Sequence, residues 1–192
     1  MFKYLVSAAV AAVALTAPAS ALVVSVSGPG GTADTSYSSA GSLAVDPYFE
    51  SFDGSGRSVI TANVTLEDAD LGSTLDFSSL VGNGLGFNLT SLLLDINGAT
   101  FSALGDVVPG FSGPAIVSML GEDVLITFAE PGEGYGAELG FNSPFLIDIS
   151  SLQAGDSFDL TFLANADVPA PAALGLLALG LGAVSLRRKA AL

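Results

Sequence analysis

The side chains of this sequence best suited to chemistry are its carboxylates. They are densest at Glu67-Asp68-Ala69-Asp70 and at Gly121-Glu122-Asp123. Oxygen-only donors suit Ca2+, so Glu67, Asp68, Asp70, Glu122 and Asp123 are the candidate ligands of a calcium site. Neither run has the spacing of an EF-hand loop, and carboxylates in turns are commonly just hydrated. A glycosidase needs two carboxylates at a set separation. With nineteen acids in the chain, some such pair is unavoidable and identifies no catalytic residue. There is no Cys and no His. Thiolate and imidazole sites for zinc, copper or haem are therefore excluded, as are Ser-His-Asp and Cys-His centres.

Sugar-binding surfaces use aromatic side chains, and the chain has no Trp. Tyr37, Tyr48 and Tyr135 remain as candidates, Tyr135 in a Gly-rich loop; packing at the rim of a core is the competing reading for each. The glycine runs Gly28-Pro-Gly-Gly31 and Gly82-Asn-Gly-Leu-Gly86 lack both phosphate-binding patterns and have no lysine nearby. Asn63-Val-Thr65 and Asn88-Leu-Thr90 match a glycosylation sequon that is common by chance.

The elements that would position these residues are strands. Ser58–Leu66 alternates Ile60, Ala62, Val64 and Leu66 with Thr61, Asn63 and Thr65, the period of a half-buried sheet. Leu22–Ser27, Leu75–Phe77, Ala115–Leu120, Ala137–Phe141, Phe145–Ser150 and Ser157–Ala164 read as further strands. Leu85, Phe87 and Leu89 share one parity, and Leu92, Leu94 and Ile96 the other. That change of phase predicts a bulge near Thr90-Ser91. Asn97-Gly98 predicts a hairpin into Ala99–Leu104, and Gly121-Glu122 a tight connection into Asp123–Ala129. Both faces of that last strand carry apolar residues, so it is expected to be covered on both sides. Gly28–Ala44, rich in Gly, Ser, Thr and Ala, reads as a loop or flexible segment, and so do Pro109–Pro114 and Glu130–Gly134. Nine or ten short strands without an amphipathic helix predict an all-β fold, a single β-sandwich of jelly-roll or immunoglobulin-like type.

The two ends are different. Lys3, the apolar stretch Tyr4–Leu15 and Ala19-Ser20-Ala21 make residues 1–21 a signal peptide cut before Leu22 by signal peptidase. An uncleaved anchor is the alternative. At the other end, Ala172–Leu186 is uncharged and would span roughly 22 Å as a helix. That is short for a bilayer core of about 30 Å. Arg187, Arg188 and Lys189 follow as a stop-transfer cluster. A buried terminal helix should show a polar face, and this run has none. Residues 22–167 are left as one exported domain, and residues 168–192 form a separate C-terminal unit. The domain holds all nineteen acids and a single base, Arg57, a net charge of −18. Such a surface repels nucleic acid and anionic lipid, stays soluble by self-repulsion and attracts cations.

Val168-Pro169-Ala170-Pro171-Ala172, the apolar run and the basic cluster together resemble the PEP-CTERM sorting signal of Gram-negative bacteria, in its V-P-x-P-A variant. Ala170 stands where the main pattern has glutamate. The resemblance implies an exosortase-type transpeptidase as partner, an inner-membrane intermediate, and a destination at the cell surface or in the extracellular matrix. It also implies an association with exopolysaccharide or biofilm. The expectation is a non-enzymatic exported protein, with a carbohydrate-binding module or a secreted hydrolase using paired carboxylates as alternatives.

Overall fold

The computed structural model describes residues 22–53, 55–84, 88–109, 115–132 and 137–166. In chain order the strands are β1 (Val23–Ser27), β2 (Gly31–Asp34), β3 (Ser42–Ala44), β4 (Asp46–Phe49) and β5 (Arg57–Thr65). After a short 3-10 turn, Asp68–Asp70, come β6 (Thr74–Ser78), β7 (Leu80–Asn83), β8 (Leu89–Asn97), β9 (Thr100–Ala103) and β10 (Asp106–Pro109). The last are β11 (Ala115–Leu120), β12 (Asp123–Gly132), β13 (Ala137–Ser143), β14 (Phe145–Asp148) and β15 (Ser157–Ala166). The described residues are all-β, with no α-helix among them and none long and apolar enough to cross a membrane. The signal segment with Ala19 and Ala21, and the apolar run Ala172–Leu186, lie outside them.

The strands form three sheets rather than two. The six-stranded sheet runs β1-β5-β15-β8-β12-β11 and is antiparallel throughout. A five-stranded sheet runs β10-β13-β7-β4-β2, and a four-stranded sheet β3-β6-β14-β9. The two smaller sheets continue one another, because β3 leads into β4, β6 into β7, β14 follows β13 and β10 follows β9. The breaks fall at Val45, Ser79, Leu104-Gly105 and Pro144, in matching places along neighbouring strands. Pro144 has no N–H to give to a ladder, which interrupts pairing there. Side chains replace the missing backbone bonds. Ser79 Oγ donates to the Val45 carbonyl at 2.5 Å, Leu80 N–H to Asp46 Oδ1 at 2.7 Å, and Asp106 N–H to Ser143 Oγ at 2.8 Å.

Alternation survives the break. Leu75, Phe77, Ser79, Val81 and Asn83 all point inward, so β6 and β7 bury one face as if they were a single strand. The core is one cluster, and Phe77 on β6 links two sheets across it, its ring centroid 6.1 Å from that of Phe162 on β15.

The structure matches the sequence reading at β5, where Ile60, Ala62, Val64 and Leu66 are buried. It also matches at β8, where the register slips as the pairing passes from Ser91 to Leu89, the expected bulge. The Gly121-Glu122 connection is a two-residue hairpin with Gly121 at φ +71°, a backbone state glycine adopts without a Cβ clash. Four expectations are corrected. Gly28–Ala44 contains β2 and β3, the latter parallel to β6, because long-range pairing overrides small-residue composition. Gly98 does not turn a hairpin: β8 stays in the six-stranded sheet while β9 pairs with β14. β12 is flanked by β8 and β11 but covered on one face, since Thr127 is exposed opposite buried Val124, Ile126 and Phe128. β12 also continues to Gly132, where a loop was expected.

Candidate functional site

Two of the five acidic candidates bond backbone amides. Asp70 is buried, and both its oxygens face backbone amides: Oδ2 accepts from Glu67 N–H at 3.0 Å and Oδ1 from Gly41 N–H at 3.2 Å. It ties the 3-10 turn to the start of β3. Asp123 Oδ1 accepts from Ile96 N–H at 3.3 Å across the β12–β8 pair. Glu67 stands at the N-cap of the 3-10 turn and Asp68 is its first residue, and Glu122 sits in the β11–β12 hairpin. Among the described residues no three acidic side chains come together in a group able to hold a metal ion. Arg57 meets Asp53 through its backbone. Its backbone N–H, at 3.0 Å, joins the Ser55 N–H at 2.8 Å and the Ser55 hydroxyl at 2.6 Å on Asp53 Oδ1. These bonds, the Ser55 hydroxyl first, hold the Asp53 carboxyl below its usual range, with the Arg57 charge the smallest contribution.

A groove of about 300 Å3 lies on the outer face of the five-stranded sheet, lined by Asp34, Tyr37, Asp46, Pro47, Tyr48, Leu80 and Gly82. Three neighbouring strands build it. Asp34 on β2 is directly opposite Asp46 on β4, and Tyr48 two residues on is opposite Gly82 on β7. Inward positions of β4 and β7 are taken by Phe49, Val81 and Asn83, so strand alternation turns Asp46, Tyr48, Leu80 and Gly82 outward.

The glycines of β7 decide how Tyr48 lies. A Cβ on Gly82 would sit 2.5 Å from Tyr48 Cδ2, and one on Gly84 would sit 2.7 Å from the Tyr48 hydroxyl oxygen. The ring therefore lies along the bare backbone of β7, with 39% of the residue exposed. Tyr37 stands in the β2–β3 connection and is 73% exposed. Its loop is pinned on both sides. Asp34 Oδ1 accepts from Ser36 N–H at 2.9 Å, while Ser38 Oγ donates to the Ala44 carbonyl at 2.9 Å and accepts its N–H at 3.0 Å. Two of the three tyrosine candidates thus meet in one groove. Tyr135 lies outside the described residues. The register that joins Asp34 and Asp46 had no sequence signal, and the glycine run from Gly82 to Gly86 stood out only as one without a phosphate-binding pattern.

Like charges opposite one another oppose folding. Burial first, and the facing Asp34 after it, push the Asp46 carboxyl above its usual range, against the pull of the Leu80 N–H. The Ser36 amide and hydroxyl hold Asp34 below it. A raised folded-state pKa favours folding while the group is protonated, and that contribution is lost as pH rises through the folded value. At neutral pH ionised Asp46 is a net cost. Asp46→Asn keeps an oxygen for Leu80 N–H and is expected to add about 0.5 kcal/mol of stability at pH 7, allowing for solvent screening. The gain should vanish at pH 3. Melting temperatures of the two proteins at both pH values check this; an equal gain at both would remove charge as the cause.

The last described strand leads to the other candidate region. β15 is held between β5 and β8, and Ala166 N–H donates to the Gly56 carbonyl at 3.0 Å. Val168, Pro169, Ala170, Pro171, Ala172, Arg187, Arg188 and Lys189 lie just beyond, outside the described residues. At the opposite end Leu22, the expected first residue after signal cleavage, is 7% exposed and belongs to the core.

Residues 167–189 match the PEP-CTERM protein-sorting motif. No curated protein and no solved structure matches the chain. Such a motif marks an exported protein sorted by an exosortase-type enzyme to the cell surface or beyond.

Proposed function

We propose that this is a non-enzymatic protein of the cell surface or extracellular matrix of a Gram-negative bacterium, associated with exopolysaccharide or biofilm. The observation that carries the reading is the motif match at residues 167–189, which begins one residue after β15 ends. In this reading the β domain is a single sandwich of jelly-roll or immunoglobulin-like type, whose second layer is made of the two smaller sheets. The signal peptide sends the domain outward, and Ala172–Leu186 halts in the inner membrane with Arg187, Arg188 and Lys189 inside. Pro169 and Pro171 cannot continue a helix backward, which leaves the motif extended at the outer boundary of the membrane. The lack of Cys frees the exported domain from any redox requirement. The lack of His and Cys leaves paired carboxylates as the rival route to catalysis, and no residue pattern singles out such a pair. The groove of Tyr37 and Tyr48 favours, as a second reading, a domain that binds carbohydrate.

Intact-mass measurement of the protein from surface and membrane fractions tests the sorting. The wild type should begin at Leu22 and lack the tail. The double variant Pro169→Ala/Pro171→Ala should let the helix extend through the motif and remain uncleaved in the inner membrane. A wild-type protein that keeps Ala172–Leu192 at the surface would overturn the proposal, leaving an ordinary anchor.

A further inference from the structure

We propose that the groove across β2, β4 and β7 binds a stretch of uncharged polysaccharide, one pyranose ring lying face-on against Tyr48 and its hydroxyls donating to Asp34 and Asp46. The ring of Tyr48 is already laid flat. Its inner face rests where Gly82 and Gly84 lack side chains, which leaves the opposite face to the groove. A flat apolar face is what the C–H face of a sugar ring stacks on. Tyr37 gives a second aromatic surface, 73% exposed, on a loop held by Asp34 and Ser38. An aromatic ring pinned in water loses little further freedom when a ligand covers it.

The carboxylates select the ligand's polar groups. An ionised carboxylate can accept but not donate, so its partners must bring hydrogens, and sugar hydroxyls do. Asp34 and Asp46 are opposite one another, so their free oxygens can take hydroxyls along one ring edge.

Charge narrows the class further. The domain carries nineteen acids against Arg57, so a uronate or sulfated polymer would be repelled. A polyamine would be drawn to every face of such a domain and would not single out this groove. An uncharged polymer feels neither effect, and its binding must come from ring stacking and hydroxyl bonds.

The inference rests on the exported reading for the ligand's setting, but its test does not pass through sorting. The full chain in mild detergent is run through native gels containing hydroxyethyl cellulose, galactomannan or soluble starch, with alginate as the acidic control. Retardation by at least one neutral polymer, and not by alginate, is expected. Beads carrying that polymer should hold the protein equally at low and high salt. Tyr37→Ala and Tyr48→Ala should each weaken binding about tenfold. Tyr48→Phe should keep it, while Gly82→Val should weaken it by lifting the ring. Tyr37 is exposed enough that its replacement leaves the fold intact, so that variant decides the matter if Tyr48→Ala unfolds. No retardation by any neutral polymer, or retardation that survives Tyr37→Ala, overturns the proposal. Binding without surface delivery would overturn the sorting reading alone, and delivery without binding this one alone.

Discussion

Phe77→Ala is expected to remove about 3–5 kcal/mol of stability, which is the usual cost of emptying a large aromatic site in a packed core. Phe77 is 0% exposed. Its ring centroid lies 6.2 Å from Phe101, 6.3 Å from Phe145 and 6.1 Å from Phe162. Phe101 and Phe145 belong to strands of its own sheet, and Phe162 to the six-stranded sheet. The ring therefore fastens the four-stranded sheet to the six-stranded one. Small domains hold about 5–15 kcal/mol in total, so this one change removes a large share. Urea unfolding followed by far-ultraviolet circular dichroism measures it. Tyr37→Ala, at the surface, should shift the same midpoint by less than about 0.5 kcal/mol. A loss below about 1 kcal/mol at Phe77 would mean that the two sheets do not depend on that contact.

Gly105→Ala should cost about 2–3 kcal/mol, for a different reason. Gly105 lies at the break between β9 and β10. A methyl group there would press into the Ser143 carbonyl oxygen and the Pro144 backbone. Those atoms belong to the neighbouring break between β13 and β14, where backbone cannot turn aside as a flexible side chain would. Gly121→Ala is the comparison. Gly121 has open space around it but φ of +71°, so alanine there meets only the left-handed backbone penalty of about 1–2 kcal/mol. Equal losses at the two positions would show that the break line has no tight packing. The measurement is again the urea midpoint, with unchanged denaturant sensitivity confirming that the unfolding reaction is the same.

Much of the fold was legible along the chain. β5, β6, β8 and β15 alternate apolar and polar residues because one face meets the core and the other meets water. Even the bulge in β8 showed as a change of parity between Leu89 and Leu92. β2, β3, β4 and β7 were not legible. They are short, rich in Gly, Ser and Asp, and supported by neighbours far away in sequence. β4 is a strand because β2 and β7 pair with it, and β3 because β6 does. Part of the candidate site was visible as well, since Tyr37 and Tyr48 stood out as candidate aromatic platforms, with packing at the rim of a core as the competing reading. Gly82 and Gly84 were visible too, in a glycine run without a phosphate-binding pattern. Their use as a bed for the Tyr48 ring depends on a parallel pairing between strands that no local pattern announces.

What the sequence by itself determined is therefore mainly chemistry and address. It excluded thiol and imidazole centres, set a domain of one base against nineteen acids, and ended in a sorting motif that residues 167–189 match. Those properties depend on residue identity and short-range order, which survive in an unfolded chain. The tertiary structure alone decided that β15 lies between β5 and β8, that Asp34 faces Asp46, and that Tyr48 lies across Gly82. Each is a long-range pairing, chosen by the summed burial and hydrogen bonding of whole sheets. No single residue carries enough of that free energy to reveal the choice from its own position in the chain.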